Sequence, residues 1–250
     1  MIPLGDEGTP MRRGFPIVNI TIIVINLIMF FFLQMSSGAV TYGWSLIPRE
    51  IMTGVDLVGP QRIPGLNETL VLYEAPLGMP YLTLFTSMFM HGGLLHIGSN
   101  MLFLFIFGDN VEDNMGSLKY LIFYLLCGLG ADFAQIILGG TDSIIPNLGA
   151  SGAIAGVLGA YLILFPQARV RALIPLGVFM TVTAVPAILM IGFWIVTQFV
   201  SVFLAGEQAA GGGGGVAYWA HIGGFIAGAI LVFVFRNRYN SDTVFSRFGS

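Results

Sequence analysis

Charge is scarce in this chain of 250 residues: Lys and Arg number 10, Asp and Glu 13, together 9% of the whole. A soluble domain carries roughly 25% charged residues and covers its surface with them, so a soluble globular fold is excluded. Cysteine is scarcer still. The single Cys127 lies in an apolar stretch, which rules out an intrachain disulfide and leaves the redox compartment open. No basic patch with interleaved aromatics exists, so nucleic acid is not an expected partner. The formal charge of −3 carries no message about partners, because orientation in a membrane follows the placement of Lys and Arg and not the net charge. There is no internal repeat and no appended soluble domain. That argues against a transporter, which predicts an inverted repeat and helices broken near mid-membrane.

What the chain has in abundance is apolar length. Hydrophobic residues make up 56% and the mean hydropathy is +0.85. A crossing needs about 20 mostly apolar residues. The apolar runs predict six: Ile17–Met35, Gly93–Val111, Leu118–Leu138, Gly149–Phe165, Ala184–Leu204 and Val216–Phe235. The expected fold is therefore all-α, a polytopic membrane bundle of six transmembrane helices. Leu82–Phe107 is too long for one crossing, and Gly92-Gly93 offers a break, so Tyr81–Met90 is expected as a short interfacial helix. Ala172–Val182, bracketed by Pro175 and Pro186, is too short to cross and is assigned to the entry of span five. Residues 1–14 and 239–250 read as tails flanking a membrane domain over 15–238. The first span is longer than a usual signal-peptide core and reads as an uncleaved anchor, although Arg12-Arg13 and the small residues Ser36–Ala39 would suit a signal.

With the N-terminus inside, the inner face receives Arg12, Arg13, Lys119, Arg169, Arg171, Arg236, Arg238 and Arg247, and the outer loops receive only Arg49 and Arg62. That bias predicts both termini in the cytoplasm of a multi-pass protein of the cell membrane. Spans four and six then both start at the outer face, with Ser151 two residues into one and His221 five into the other. At 1.5 Å per residue their depths differ by roughly 5 Å. Span four carries Gly152, Gly156 and Ala160 at four-residue spacing and span six carries Ala220, Gly224 and Gly228 likewise, a pattern that lets helix backbones approach closely in lipid and on its bland reading merely packs helices. A lone serine in such a helix usually bonds a carbonyl one turn back. Here Gly149 and Gly152 leave its hydroxyl unobstructed, and the helix start aims free N–H groups at that level. A serine needs a base to become a nucleophile, and His221 is the nearest candidate.

His96 and Asn100, four apart, share one face of span two and are suited to donate to an oxyanion. An ordinary interhelical hydrogen bond is the other reading, above all for Asn100. Three histidines without a correctly spaced carboxylate or cysteine make a poor zinc site, so no cofactor or metal is expected. His91, at the break before span two, is expected to tie loop one to the bundle. Asp132 either orients a histidine as a third member or reaches water or a helix N-terminus; the second reading is favoured, with a Ser–His dyad. Asp109, Glu112 and Asp113 read as a solvated helix end. In loop one, Ser36–Pro80, Tyr42 and Trp44 fit interfacial anchoring. The pentaglycine Gly211–Gly215 reads as a flexible loop just before span six.

The blocks His91-Gly92-Gly93-Leu94-Leu95-His96-Ile97-Gly98-Ser99-Asn100, Gly149-Ala150-Ser151-Gly152 and Ala220-His221 with Gly224 and Gly228, in this order, resemble the rhomboid intramembrane serine proteases. The resemblance covers about residues 15–238 and all six spans. It implies a serine endopeptidase with Ser151 as nucleophile and His221 as general base. His96, Asn100 and the Ser151 backbone N–H become the oxyanion donors, and His91 a structural position. Its substrates are then transmembrane proteins of the single-span kind, met in membrane lipid. The alternative is a non-catalytic rhomboid-like protein that binds transmembrane helices. Two positions depart from the family pattern. Leu82 and Thr83 stand where some members carry Trp-Arg, and Ala155 replaces an aromatic that stacks on the catalytic histidine. Another ring, such as Phe225, is then expected to hold His221.

Overall fold

The computed structural model describes residues 1–9, 14–63, 69–176, 179–208 and 216–237. Strand β1 (Ile2–Glu7) precedes helix α1 (Ile17–Ile28), which continues as a π-helical stretch over Met29–Gln34. Loop one then folds into α2 (Gly38–Gly43), α3 (Pro48–Thr53) and the hairpin β2 (Gly59–Arg62) with β3 (Thr69–Leu72). The interfacial segment is a broken helix, with α4 (Thr83–Thr86) flanked by two short 3-10 turns. Helix α5 (Leu94–Phe103) passes through a π-helical stretch into α6 (Asp109–Met115), and α7 (Ser117–Gly139) follows after Gly116. Then come α8 (Ser151–Leu164), β4 (Arg169–Leu176), β5 (Phe179–Pro186), α9 (Ala187–Gln208) and α10 (Tyr218–Phe235).

Five of the six expected crossings are helices long and apolar enough to span: Ile17–Gln34, Leu94–Met115, Ser117–Gly139, Ala187–Leu204 and Tyr218–Phe235. The protein is a helical integral membrane bundle. The remaining one, α8, has 14 residues, about 21 Å at 1.5 Å per residue and short of a hydrocarbon core of about 30 Å. Every residue from Gly152 to Tyr161 is buried, so protein and not lipid surrounds it. Backbone outside a helix is tolerated at depth where protein covers it.

Glycine sets how closely α8 and α10 pack. A Cβ at Gly224 would run into the carbonyl oxygen of Gly152, and one at Gly228 into that of Gly156. Helix α7 joins this seam through small residues: a Cβ at Gly152 would meet Ala131 and one at Gly223 would strike Ala134.

The end of the bundle away from Ser151 departs from the expected all-helical plan. The segment assigned to the entry of span five is an antiparallel hairpin, β4 with β5, and β1 from the expected N-terminal tail adds a third strand beside β4. The reason is legible in the alternation Arg169, Val170, Arg171, Ala172, which puts Val170 and Ala172 in the core and the arginines outside. Asp6 on β1 accepts hydrogen bonds from Tyr161 Oη at 2.7 Å and Asn110 Nδ2 at 2.9 Å, fastening the sheet to the helices.

Asp109 and Glu112 are buried and do not form a solvated helix end. The Glu112 carboxylate accepts from the backbone N–H groups of Val18 at 3.1 Å and Asn19 at 2.7 Å, and from the Ser117 hydroxyl at 2.5 Å. Pro16 opens α1 without a side-chain cap. The free N–H groups of that first turn therefore draw an acid from a neighbouring helix. Arg12, Arg13, Arg238, Arg247 and the pentaglycine lie outside the described residues.

Candidate active site

The close α8–α10 contact delivers what the spacing predicted. Ser151 Oγ lies 2.8 Å from His221 Nε2. Ser151 is the first residue of α8, preceded by Gly149 at φ 127°, a left-handed backbone that favours glycine. A Cβ at Gly149 would sit 2.8 Å from His96 Nε2 and 3.6 Å from Ser151 Oγ. The missing side chain thus leaves an open volume between the hydroxyl and the second imidazole. The start of α10 is secured by Gln135 of α7, whose Oε1 accepts from the Ala220 N–H at 3.1 Å.

Hydrogen bonding fixes which nitrogen of His96 points into that volume as a donor. Its Nδ1 accepts from the Gly92 backbone N–H at 3.2 Å, so in the neutral ring the proton sits on Nε2. Asn100, one turn further along α5, is buried, and its Nδ2 has no hydrogen-bond partner. A buried amide donor left open ordinarily carries a cost of 1–3 kcal/mol, so an acceptor arriving there is favoured. His91 packs edge-on against His96, with ring centroids 5.1 Å apart. Burial, with His96 beside it, holds the His91 pKa down at about 3, so its ring is neutral. As expected, its backbone links the bundle to the start of loop one. Gln34, at the end of the first span, accepts from His91 N at 3.0 Å and donates to His91 O at 2.9 Å and to Thr41 Oγ1 at 3.1 Å. A cavity of about 540 Å³, walled by these residues with Leu148 and Val216, opens onto His96, with ample room for ordered water.

Asp132 is not the third member. Its Oδ2 has no hydrogen-bond partner, and the atom beside His221 Nδ1 is Gln198 Oε1 of α9, at 2.8 Å. Phe225 is likewise not the ring that holds His221; Trp194 of α9 is, with centroids 5.5 Å apart and planes at 39°. Sequence reading passed over both residues of α9. A glutamine in the middle of an apolar run was the available signal, since polar groups at that depth are functional candidates by default.

The rhomboid domain family model matches residues 80–238. Among curated relatives, the rhomboid protease GluP of Bacillus subtilis is 28% identical over 161 residues, 62% of this chain and 26% of that protein. The mitochondrial rhomboid protein 1 of Saccharomyces cerevisiae is 30% identical over 147 residues, 58% of this chain and 39% of that one. The mitochondrial presenilin-associated rhomboid-like protein of Homo sapiens is 30% identical over 136 residues, 51% and 35% of the two chains. The match therefore spans well under half the length of each relative.

Proposed function

Because the chain belongs to the rhomboid family, which includes intramembrane serine proteases and catalytically inactive members, we propose that it is an active serine endopeptidase. One observation carries the reading: a serine hydroxyl and an imidazole nitrogen 2.8 Å apart at the start of two helices packed on glycine. An inactive binding protein has no need of that pair.

In the proposed reaction, Ser151 Oγ attacks the scissile carbonyl carbon while His221 Nε2 takes its proton. The carbonyl oxygen becomes an oxyanion in the volume beside Gly149, where His96 Nε2–H and Asn100 Nδ2–H donate to it. Donors of this kind contribute about 3–4 kcal/mol each elsewhere. The C–N bond then breaks, and His221 returns the proton to the leaving amine. Water from the cavity, deprotonated by the same nitrogen, hydrolyses the ester and restores the serine. The substrates are transmembrane proteins of the single-span kind, cut near the outer end of their helix. There the backbone unwinds enough to expose a carbonyl that a helix would otherwise hold in its own hydrogen bond. The cation bias supports placing both termini in the cytoplasm, with the protein in the cell membrane.

The test is cleavage of single-span reporter proteins by the purified chain in detergent, alongside labelling with a fluorophosphonate. Ser151→Ala is expected to abolish both while leaving thermal unfolding unchanged. Covalent mass on another residue, or cleavage surviving in that variant, refutes the assignment. Binding of reporter helices with neither cleavage nor labelling in the wild type would favour the non-catalytic alternative.

A further inference from the structure

A neutral imidazole carries one proton on two nitrogens, and only the tautomer with a bare Nε2 accepts from Ser151. A base with no partner at Nδ1 spends part of its time in the wrong tautomer and is free to turn about its side-chain bonds. Something must hold it.

We propose that Gln198 of α9 is a positioning residue that fixes the tautomer and the orientation of His221. The amide's other end determines which of its atoms faces the imidazole. Gln198 Nε2 donates to the Trp194 backbone carbonyl at 3.2 Å and to Thr197 Oγ1 at 3.2 Å. A carbonyl only accepts, so the amide nitrogen has to face it. The Thr197 hydroxyl spends its own proton on the same carbonyl, at 2.6 Å, and presents a lone pair to Gln198. Both contacts leave Oε1 as the group facing His221 Nδ1, at 2.8 Å. An acceptor there requires the proton on Nδ1 and leaves Nε2 bare toward Ser151 Oγ, 2.8 Å away. Trp194, one turn before Gln198, packs against the ring face. Helix α9 thus grips the imidazole by one nitrogen and by one face. The position on α8 that could have supplied a stacking ring is Ala155, itself buried. The amide does without charge what an acid does in a triad, holding the base in its productive tautomer.

The inference rests on the protease reading for its kinetic consequence alone. The tautomer is a property of the resting protein, so the two are separable. The experiment compares wild type, Gln198→Met, which keeps the shape and removes the acceptor, and Gln198→Glu, which restores an acceptor at the same reach. Nitrogen NMR of histidine-labelled protein in detergent is expected to show His221 with Nδ1 protonated in the wild type and in Gln198→Glu. In Gln198→Met a mixture of tautomers is expected. For cleavage of a single-span reporter, Gln198→Met is expected to lower kcat on the order of 10-fold to 100-fold with KM unchanged, by analogy with the loss of a hydrogen-bond partner that orients a metal-bound histidine. Gln198→Glu is expected to recover most of that loss. A pure Nδ1-protonated tautomer persisting in Gln198→Met overturns the proposal, as does an unchanged kcat in a wild type that cleaves. If the tautomer responds as stated but wild type neither cleaves nor labels, the positioning role stands and the protease reading falls.

Discussion

Helices α8 and α10 meet backbone to backbone, whereas α9 reaches the same site through a few side chains. On the first side, Gly152 and Gly156 of α8 face Gly224 and Gly228 of α10 with no room for a methyl group between them. On the other, Ile188, Leu189, Phe193, Val196, Phe199, Val200, Phe203 and Leu204 point outward along α9, and the inward contacts to the site come from Trp194 and Gln198. Lipid tails are as apolar as leucine, so outward residues gain nothing by leaving them. The serine is therefore placed by steric fit, and the histidine is aimed by polar contacts from a helix that lipid largely surrounds. Location and orientation are separate tasks, and separate helices perform them.

The strongest way to break this contrast is to add one methyl group on each side. In Gly228→Ala the new carbon would strike the Gly156 carbonyl, and forcing the helices apart is expected to remove about 3 kcal/mol of stability, with activity lost as Ser151 and His221 separate. The same change in α9, Gly192→Ala, meets nothing within 4 Å and is expected to add up to about 1 kcal/mol through helix propensity. Thermal unfolding of both variants in detergent checks the pair; equal and opposite shifts in the reverse sense would end the comparison. Next in size is Glu112→Gln, where α6 meets the start of α1. It offers one acceptor oxygen where three donors now converge on a carboxylate, and a loss of about 1–3 kcal/mol is expected in the same measurement.

The packed half was legible because its cause is local and repeated. Small residues at every fourth position on two helices gave the partner, the face and the approximate depth, and Ser151 with His221 followed from them. The α9 span was legible too, but the role of its Trp194 and Gln198 was not, for the opposite reason. Thr197, Gln198 and Ser201, the polar residues among its apolar neighbours up to Leu204, mark no period, and whether Gln198 faces lipid or the histidine depends on a rotation that only tertiary packing sets. Glu112 misled in a third way. An acid near the end of a predicted span looks solvated, and nothing in its own segment reveals that Val18 and Asn19 lie across from it. The hairpin of β4 and β5 was hidden because two prolines suggested a break, while the alternation of arginine with small apolar residues was the informative signal.

Loop one extends the contrast through a titrating group. Glu50 is buried there, with Oε1 accepting from the Leu57 N–H at 2.9 Å. Burial first, and the nearby charge of Asp56, push its pKa up to about 7, against the pull of that hydrogen bond. An unfolded chain gives up this proton near the ordinary glutamate value of about 4.3, so between there and about 7 the folded loop holds a proton that the unfolded one lacks. Its contribution to stability is therefore complete at low pH and fades as pH rises through 7. Protection of the Leu57 amide from hydrogen exchange is expected to drop between pH 5 and pH 8, and Glu50→Gln is expected to flatten that slope while the seam of α8 and α10 keeps its protection throughout.

The smallest expected effect probes the lipid-facing side most directly. Phe203 on α9 is 83% exposed, and Phe203→Ala replaces a ring that touches lipid with a methyl that touches lipid. In water such a truncation would expose or bury apolar area; in a bilayer both states are solvated by hydrocarbon, so the hydrophobic term nearly cancels. A stability change within about 0.5 kcal/mol follows, and reporter cleavage should keep its kcat, because Gln198 and Trp194 lie on the opposite side of the same helix. A loss of several kcal/mol in detergent-solubilised protein would mean that the face is covered by another surface of this chain, and α9 would then belong with the packed helices rather than apart from them.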